Sequence, residues 1–308
     1  MKAVFLDADS LGADIDLEPI AREVDSLQLY GTTAPEQLAQ RIEGMDLLIT
    51  NKVKIPDWAI QGRKGILVVA TGLNNVDTAA AATLGVPVHN VLNYGTDAVA
   101  QHTLMLMLAL AGRLPVYQHK LAQGEWQQSP FFCLLSPSTT QLSGKHLVIV
   151  GSGTLGQAVA RLAEAFGARV SFAARPGNPD DSRPTLEQLL PTADVVSLHC
   201  PLTSDTHHLI NAERLQLIKP GCLLVNCARG GVIDEAACLA ALQEGQLGGL
   251  AVDVLPEEPP RNGHPLLEQL EGELNLLVTP HNAWITPEAR QNIVRLTVEN
   301  IRQLKGGF

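Results

Sequence analysis

Three short segments place a cation, a carboxylate and an imidazole directly after apolar, β-branched runs. They are Asn226-Cys227-Ala228-Arg229-Gly230-Gly231, Asp253-Val254-Leu255-Pro256-Glu257-Glu258-Pro259 and Pro280-His281-Asn282-Ala283-Trp284. The set suits reduction of a 2-keto acid. An arginine fork grips the substrate carboxylate, an imidazolium gives a proton to the carbonyl oxygen, and a carboxylate holds that imidazole. Taken singly, Arg229 could cap helix carbonyls, Glu258 could be a solvated loop acid, and His281 a structural histidine. Their order, downstream of a well-placed glycine-rich loop, favours the joint reading.

That loop is Gly151-Ser152-Gly153-Thr154-Leu155-Gly156, after the buried run Leu147-Val148-Ile149-Val150 and before a helix over Gln157–Phe166. Gly151 permits the tight turn, Gly153 lets a pyrophosphate approach the backbone, and Gly156 lets helix and strand pack closely. Thr154 and Leu155 open the helix, whose free N–H groups suit phosphate. A dinucleotide is therefore the expected cofactor, NAD(H) or NADP(H). An NAD site normally carries Asp or Glu about 20 residues on, for the ribose 2′-OH. Here the strand Arg169–Ala173 ends in Ala174-Arg175-Pro176. Arg175 can pair with a 2′-phosphate, so NADP(H) is favoured over NAD(H). An arginine stacked on adenine is the alternative, and it would leave NAD acceptable.

The elements that must position these groups alternate from end to end, strand-like runs with helical segments, which predicts an α/β fold of two doubly wound parallel sheets. The first series is Ala3–Leu6, Leu27–Tyr30, Leu47–Thr50, Ile66–Ala70 and Val86–Val91, with helices over Ala34–Ile42 and Val76–Leu84. The second is Leu147–Val150, Arg169–Ala173, Asp194–His199, Cys222–Cys227, Gly249–Val254 and Leu276–Thr279. Between the two series, Thr96 and Asp97 offer an N-cap and first-turn acid to an apolar helix ending near Gly112. Residues Leu114 to Ser143 read as a long irregular loop. Its Trp126, Phe131 and Phe132 would expose apolar area unless a second subunit covers them, which points to a homodimer. Thr286 and Pro287 begin a long terminal helix, expected to pack back on the first series.

Composition sets the outer limits. The 308 residues suggest about two domains at roughly 150 residues each. With 45% hydrophobic and 18% charged residues, the whole chain should fold. A net charge of −10 with no long basic run argues against nucleic acid as a partner. The longest apolar run, Leu104–Ala111, falls far short of the ~20 residues that cross a bilayer, so no membrane span is expected. The N-terminus reads as a strand rather than a signal peptide, and the expected location is the cytoplasm. Five cysteines without a CxxC pair suggest reduced packing residues. His199, His207 and His208 lack a ligating partner at suitable spacing, so no metal is expected.

Taken together, the glycine-rich loop, Arg229, Glu258 and His281, in that order, resemble the D-isomer-specific 2-hydroxyacid dehydrogenase family over essentially the whole chain. The resemblance implies a Rossmann nucleotide-binding domain, residues 97–282, inserted into a flavodoxin-like substrate domain, residues 1–96 and 283–308, with the active site in the cleft between them. By the same resemblance Arg229 binds substrate, His281 is the acid/base, and Glu258 hydrogen-bonds His281. Asp253 contacts the nicotinamide amide. Ala70-Thr71-Gly72-Leu73-Asn74-Asn75 looks like the substrate loop, where the Gly72 and Leu73 N–H groups meet a carboxylate beside Asn74, and Trp284 forms a wall over the substrate. Thr96, Cys200, Pro201, Thr206, Cys227, Ala228 and His281 complete the implied cofactor contacts. Within the family, His281-Asn282-Ala283-Trp284, the Trp126–Cys133 loop and Asn74-Asn75 look most like glycerate dehydrogenases, also called hydroxypyruvate reductases, with glyoxylate a further small substrate. Alternatives are other 2-hydroxyacid dehydrogenases and a non-catalytic, nucleotide-sensing corepressor-like binding protein. Gln101, where many members have Glu, and Ala174-Arg175 are the departures.

Overall fold

Short runs of Val, Leu and Ile become strands here because they can bury both faces of a parallel sheet. The computed structural model describes residues 1–306, and its chain separates into two units: Met1–Gly95 with the segment from Ile285 onward, and Thr96–Trp284. In the first unit, β1 (Lys2–Phe5), β2 (Ser26–Leu29), β3 (Leu47–Thr50), β4 (Gly65–Val68) and β5 (Val88–Asn90) form a parallel sheet in the order β2-β1-β3-β4-β5. The core strands β3 and β4 are buried throughout. The chain leaves β1 to one side and returns on the other, so a crevice opens at the carboxyl ends of β1 and β3.

There the Asp7 carboxylate, almost wholly buried, accepts the backbone N–H groups of Asn51 (2.8 Å), Lys52 (2.6 Å) and Val53 (3.2 Å). Three charge-assisted bonds compensate its desolvation and fix the turn after β3. The terminal helix, Pro287–Gly306, packs on this unit, where Asn292 Nδ2 donates to Tyr94 O and Asn300 Nδ2 to Asn90 O. The Thr286 hydroxyl accepts the Ala289 N–H at 3.3 Å, closing the first turn.

The second unit holds β6 (His146–Val150), β7 (Arg169–Phe172), β8 (Val195–Leu198), β9 (Cys222–Asn226), β10 (Leu247–Val252) and β11 (Leu276–Val278). All pair in parallel, in the order β11-β10-β9-β8-β6-β7. The third strand in sequence therefore lies across β6 from the second, whereas the common dinucleotide-binding order sets it beyond the second. Helix Thr96–Ala111 buries Ala100, Leu104, Met107 and Leu110, and it begins at Thr96 rather than after it.

One expectation fails. Part of the segment read as an irregular loop from Leu114 is a helix, Leu114–Ala122. Pro115 stands in the first turn of this helix, where its missing N–H has no helical acceptor to lose. The remainder is irregular and exposes Trp126, Phe131, Phe132 and Leu135, with Phe132 91% accessible.

All five cysteines are unbridged, and four of them are buried. Burial pushes the Cys200 thiol up to about 11 and those of Cys222 and Cys227 up to about 12, and raises Cys238 as well. Thiolate is the reactive form. A disulfide reagent at neutral pH should therefore titrate one thiol per native chain, Cys133, and five after unfolding. Rapid labelling of a second native cysteine would contradict this burial.

Candidate active site

Because every strand of the second unit runs the same way, the loops that leave their carboxyl ends share one edge. Three such loops extend the ladder by one bond each: His199 N–H donates to Val150 O (2.8 Å), Asp253 N–H to Asn226 O (2.9 Å) and Thr279 N–H to Val252 O (2.9 Å). The chemistry-bearing segments thus leave from a rigid platform.

At the end of β6, Gly151 adopts φ +104°, and a Cβ there would stand 2.5 Å from His199 O. At Gly156 a Cβ would stand 1.9 Å from Gly151 O, so the helix Thr154–Ala165 could not sit this close to its strand. Gly153 differs, since a Cβ there meets nothing within 4 Å. No side chain caps this helix, and the backbone N–H groups of Thr154, Leu155 and Gly156 donate to nothing among the described residues. An open approach at Gly153 over three free donors fits a pyrophosphate.

Arg229 follows β9 and is exposed. Its Nη1 donates to Ala228 O (2.7 Å), and Asn226 Nδ2 holds Arg229 O (2.9 Å). Gly230 packs against the next loop, where a Cβ would lie 2.1 Å from the Leu255 carbonyl carbon. Only glycine lets these segments meet. In that loop Glu258 Oε1 accepts the Leu255 N–H at 2.8 Å, and Glu258 Oε2 lies 2.6 Å from His281 Nδ1. A carboxylate only accepts, so Nδ1 carries a proton and Nε2 is the nitrogen left for chemistry.

His281 sits at φ +52°, an uncommon conformation for a residue with a side chain. Its N–H donates to Asp253 O (2.8 Å) and Thr279 O (2.9 Å). The Asp253 carboxylate, 2% exposed, accepts the Thr279 hydroxyl (2.6 Å) and the N–H groups of Asn282 (3.0 Å) and Ala283 (3.1 Å). Since Thr279 gives its one proton to Asp253, it accepts from His102 Nε2 at 3.0 Å, which sets the His102 tautomer. Burial lowers the His102 pKa against the opposing pull of Asp253, keeping it neutral. The resemblance assigns Asp253 to the nicotinamide amide, and the structure shows it bracing the His281 turn. Thr279 and His102 escaped the sequence reading, since 177 residues separate them.

Thr206, which the resemblance places at the cofactor, has a buried hydroxyl that donates to Pro201 O (2.6 Å) and accepts the Thr203 N–H (2.8 Å), shaping the turn after Cys200 and Pro201. Cys200, Cys227 and Ala228 are buried at the ends of β8 and β9, and Thr96 opens its helix. Arg175 is exposed beyond β7, and Trp284 is half-buried three residues after His281. Nearby, burial lowers His199 to about 4, and its Nδ1 has no partner among the described residues.

In the first unit the loop after β4 carries Gly72, Leu73 and Asn74. Asn75 Nδ2 ties it to Val53 O (3.0 Å), and Asn90 Nδ2 holds Thr71 O (2.6 Å). The Gly72 and Leu73 N–H groups have no acceptor among the described residues, as an anion-binding turn requires.

A dinucleotide cradle on the same sheet edge as a histidine–carboxylate pair is the arrangement of a dehydrogenase. Residues 104–283 match the family described as D-isomer specific 2-hydroxyacid dehydrogenase, NAD binding domain. The chain is 37% identical to the glycerate dehydrogenase of Methylorubrum extorquens over 99% of this chain and 96% of that protein. It is 32% identical to the hydroxypyruvate reductase of Blautia hydrogenotrophica over 99% and 98%, respectively. The TT0316 protein from Thermus thermophilus superposes with a TM-score of 0.80 at 33% identity, covering 100% of this chain and 97% of that one. The chain belongs to the D-isomer-specific 2-hydroxyacid dehydrogenase family and is a nicotinamide-dependent oxidoreductase.

The glycines separate folding from binding. Gly153→Ala should keep the melting temperature of the parent chain yet lose most of its affinity for the dinucleotide. Gly156→Ala should lose about 1–3 kcal/mol of stability to overpacking, seen as a lower denaturant midpoint. Equal loss of stability in both variants would contradict the open approach at Gly153.

Proposed function

We propose that this chain reversibly reduces a small 2-keto acid, hydroxypyruvate or glyoxylate, to the D-2-hydroxy acid, with NADP(H) preferred over NAD(H). The observation that carries the reading is the 2.6 Å contact between His281 Nδ1 and Glu258 Oε2 on the platform that also presents Arg229. Arg229 binds the substrate carboxylate and carbonyl, and the Gly72 and Leu73 N–H groups, with Asn74, are the donors that the first unit offers to a carboxylate. Gly151, Gly153, Thr154, Leu155 and Gly156 hold the pyrophosphate, and Arg175 the 2′-phosphate. Thr96, Cys200, Pro201, Cys227, Ala228 and Asp253 bound the rest of the cofactor, with Thr206 setting the Pro201 turn. Once bound, the nicotinamide supplies a hydride to C2 in reduction and accepts one in oxidation.

His281 moves the balancing proton. Glu258 keeps Nδ1 protonated, so Nε2–H donates to the forming alkoxide in reduction, and neutral Nε2 takes the hydroxyl proton in oxidation. Trp284 walls the substrate and restricts its size. Similarity to a glycerate dehydrogenase and a hydroxypyruvate reductase along nearly the whole chain supports the three-carbon substrate.

Loss of reduced-nicotinamide absorbance with hydroxypyruvate, glyoxylate or pyruvate, with NADPH and NADH in parallel, tests this reading. Turnover should be fastest with hydroxypyruvate and NADPH. His281→Ala should lower kcat by about 10²–10⁴-fold. Preference for NADH would overturn the cofactor choice, and tight cofactor binding without turnover of any keto acid would overturn the substrate class.

The exposed Trp126, Phe131, Phe132 and Leu135 support a further reading, that two copies cover this apolar surface in a homodimer. Sedimentation equilibrium should give twice the chain mass, falling to one in Phe132→Asp. A monomeric parent chain would refute it.

A further inference from the structure

The acid that the second strand lacks is supplied in space by a residue further along the chain. After β7 the backbone turns at Gly177 (φ +75°) and comes back, and Asp181 Oδ2 accepts the Arg175 N–H at 2.7 Å. The same carboxylate takes the Arg183 N–H (3.1 Å), Nε (2.9 Å) and Nη2 (2.5 Å). Four donors on one carboxylate, two of them from a guanidinium, hold Asp181 ionised well below the usual carboxylate range, with the Arg183 side chain the largest cause. The Arg175 guanidinium, by contrast, makes no hydrogen bond or ion pair among the described residues and is exposed.

Beside this loop lies a cavity of about 520 Å³ whose charged lining is Arg175, Asp181, Glu187, Asp205 and Arg214. Arg214 Nη2 pairs with Glu187 at 2.6 Å, and Arg183 with Asp181. Asp205 lies against the loop, since a Cβ on Gly177 would stand 2.5 Å from its carboxylate. Among the described residues, the charges on this wall without a partner are therefore Arg175 and Asp205, which balance. Without Arg183 the Asp181 carboxylate would join them and tip the unpaired charge negative.

We propose that Arg183 determines cofactor specificity by acting through Asp181: it neutralises the carboxylate that hangs on the Arg175 backbone and so leaves the Arg175 guanidinium to a nucleotide 2′-phosphate. The inference rests on the NADP(H) reading above. Without Arg183, Asp181 repels a 2′-phosphate and offers an acceptor to a 2′-hydroxyl, which is the chemistry of an NAD site. Without the Asp181 charge, Arg183 becomes a second cation for the phosphate.

Calorimetric binding of 2′,5′-ADP and 5′-AMP to the full chain isolates this term, since the two ligands differ by the 2′-phosphate alone. In Arg183→Ala the ratio of 2′,5′-ADP to 5′-AMP affinity should fall about tenfold, the scale of one added like charge at the site. Arg183→Lys should recover part of that loss, and in Asp181→Asn the ratio should hold or rise. Equal weakening of both ligands in Arg183→Ala and Asp181→Asn would overturn the proposal, reducing the pair to a brace for the loop. The parent reading fails separately. If the unmodified chain shows no preference and Arg175→Ala leaves the ratio unchanged, NADP(H) selectivity is refuted and the Arg183 proposal with it, whereas a preference that is lost in Arg175→Ala but unmoved in Arg183→Ala would overturn the Arg183 proposal alone.

Discussion

The buried carboxylate of Asp253 is the charge on which the reactive edge depends. It leaves β10, is almost without solvent, and survives there because it collects a hydroxyl and two backbone N–H groups from the chain after β11. An unpaired carboxylate in that position would cost several kcal/mol, so the turn must form around it. The turn in question puts His281 in a left-handed conformation that it would not choose alone. Backbone strain at the reactive residue is thus held by the desolvation of a neighbour, and His102 and Thr279 complete the chain of donors that keeps that neighbour satisfied.

A second constraint is close approach. Gly151, Gly156 and Gly230 each stand where a Cβ would meet main-chain atoms at 2.5 Å or less. The first two close the cradle, and the third presses the Arg229 segment onto the Glu258 loop. Binding and proton transfer are therefore set by the same device, backbone packed on backbone. Such positions tolerate no side chain but also wander little, as an alignment of reacting groups demands.

Much of this was legible in the sequence, for identifiable reasons. Parallel strands buried on both faces write themselves as Leu147–Val150 and Cys222–Asn226, and a glycine pattern between strand and helix has few other uses. Arg229, Glu258 and His281 stood out because each lies in a segment that follows such a strand at once. What stayed hidden was long-range pairing. Nothing local to His102 points to Thr279, and nothing in Asp181 says that it will fold back on Arg175. The sheet order was equally hidden, since pairing β8 with β6 is a choice between two edges that the strands themselves do not specify. The Leu114–Ala122 helix was missed because Leu114 to Ser143 was read as one irregular segment, whereas its first nine residues are helical.

The first unit is built from the two ends of the described chain, with 189 residues of the second between them. During synthesis the second unit is complete once Trp284 has emerged, and its sheet can close at that point. Strands β1 to β5 emerge before it, yet the helix Pro287–Gly306, which packs against β4 and β5, emerges after it. Until then their apolar surface must be tolerated or sheltered. The unit that begins before the other is therefore completed after it.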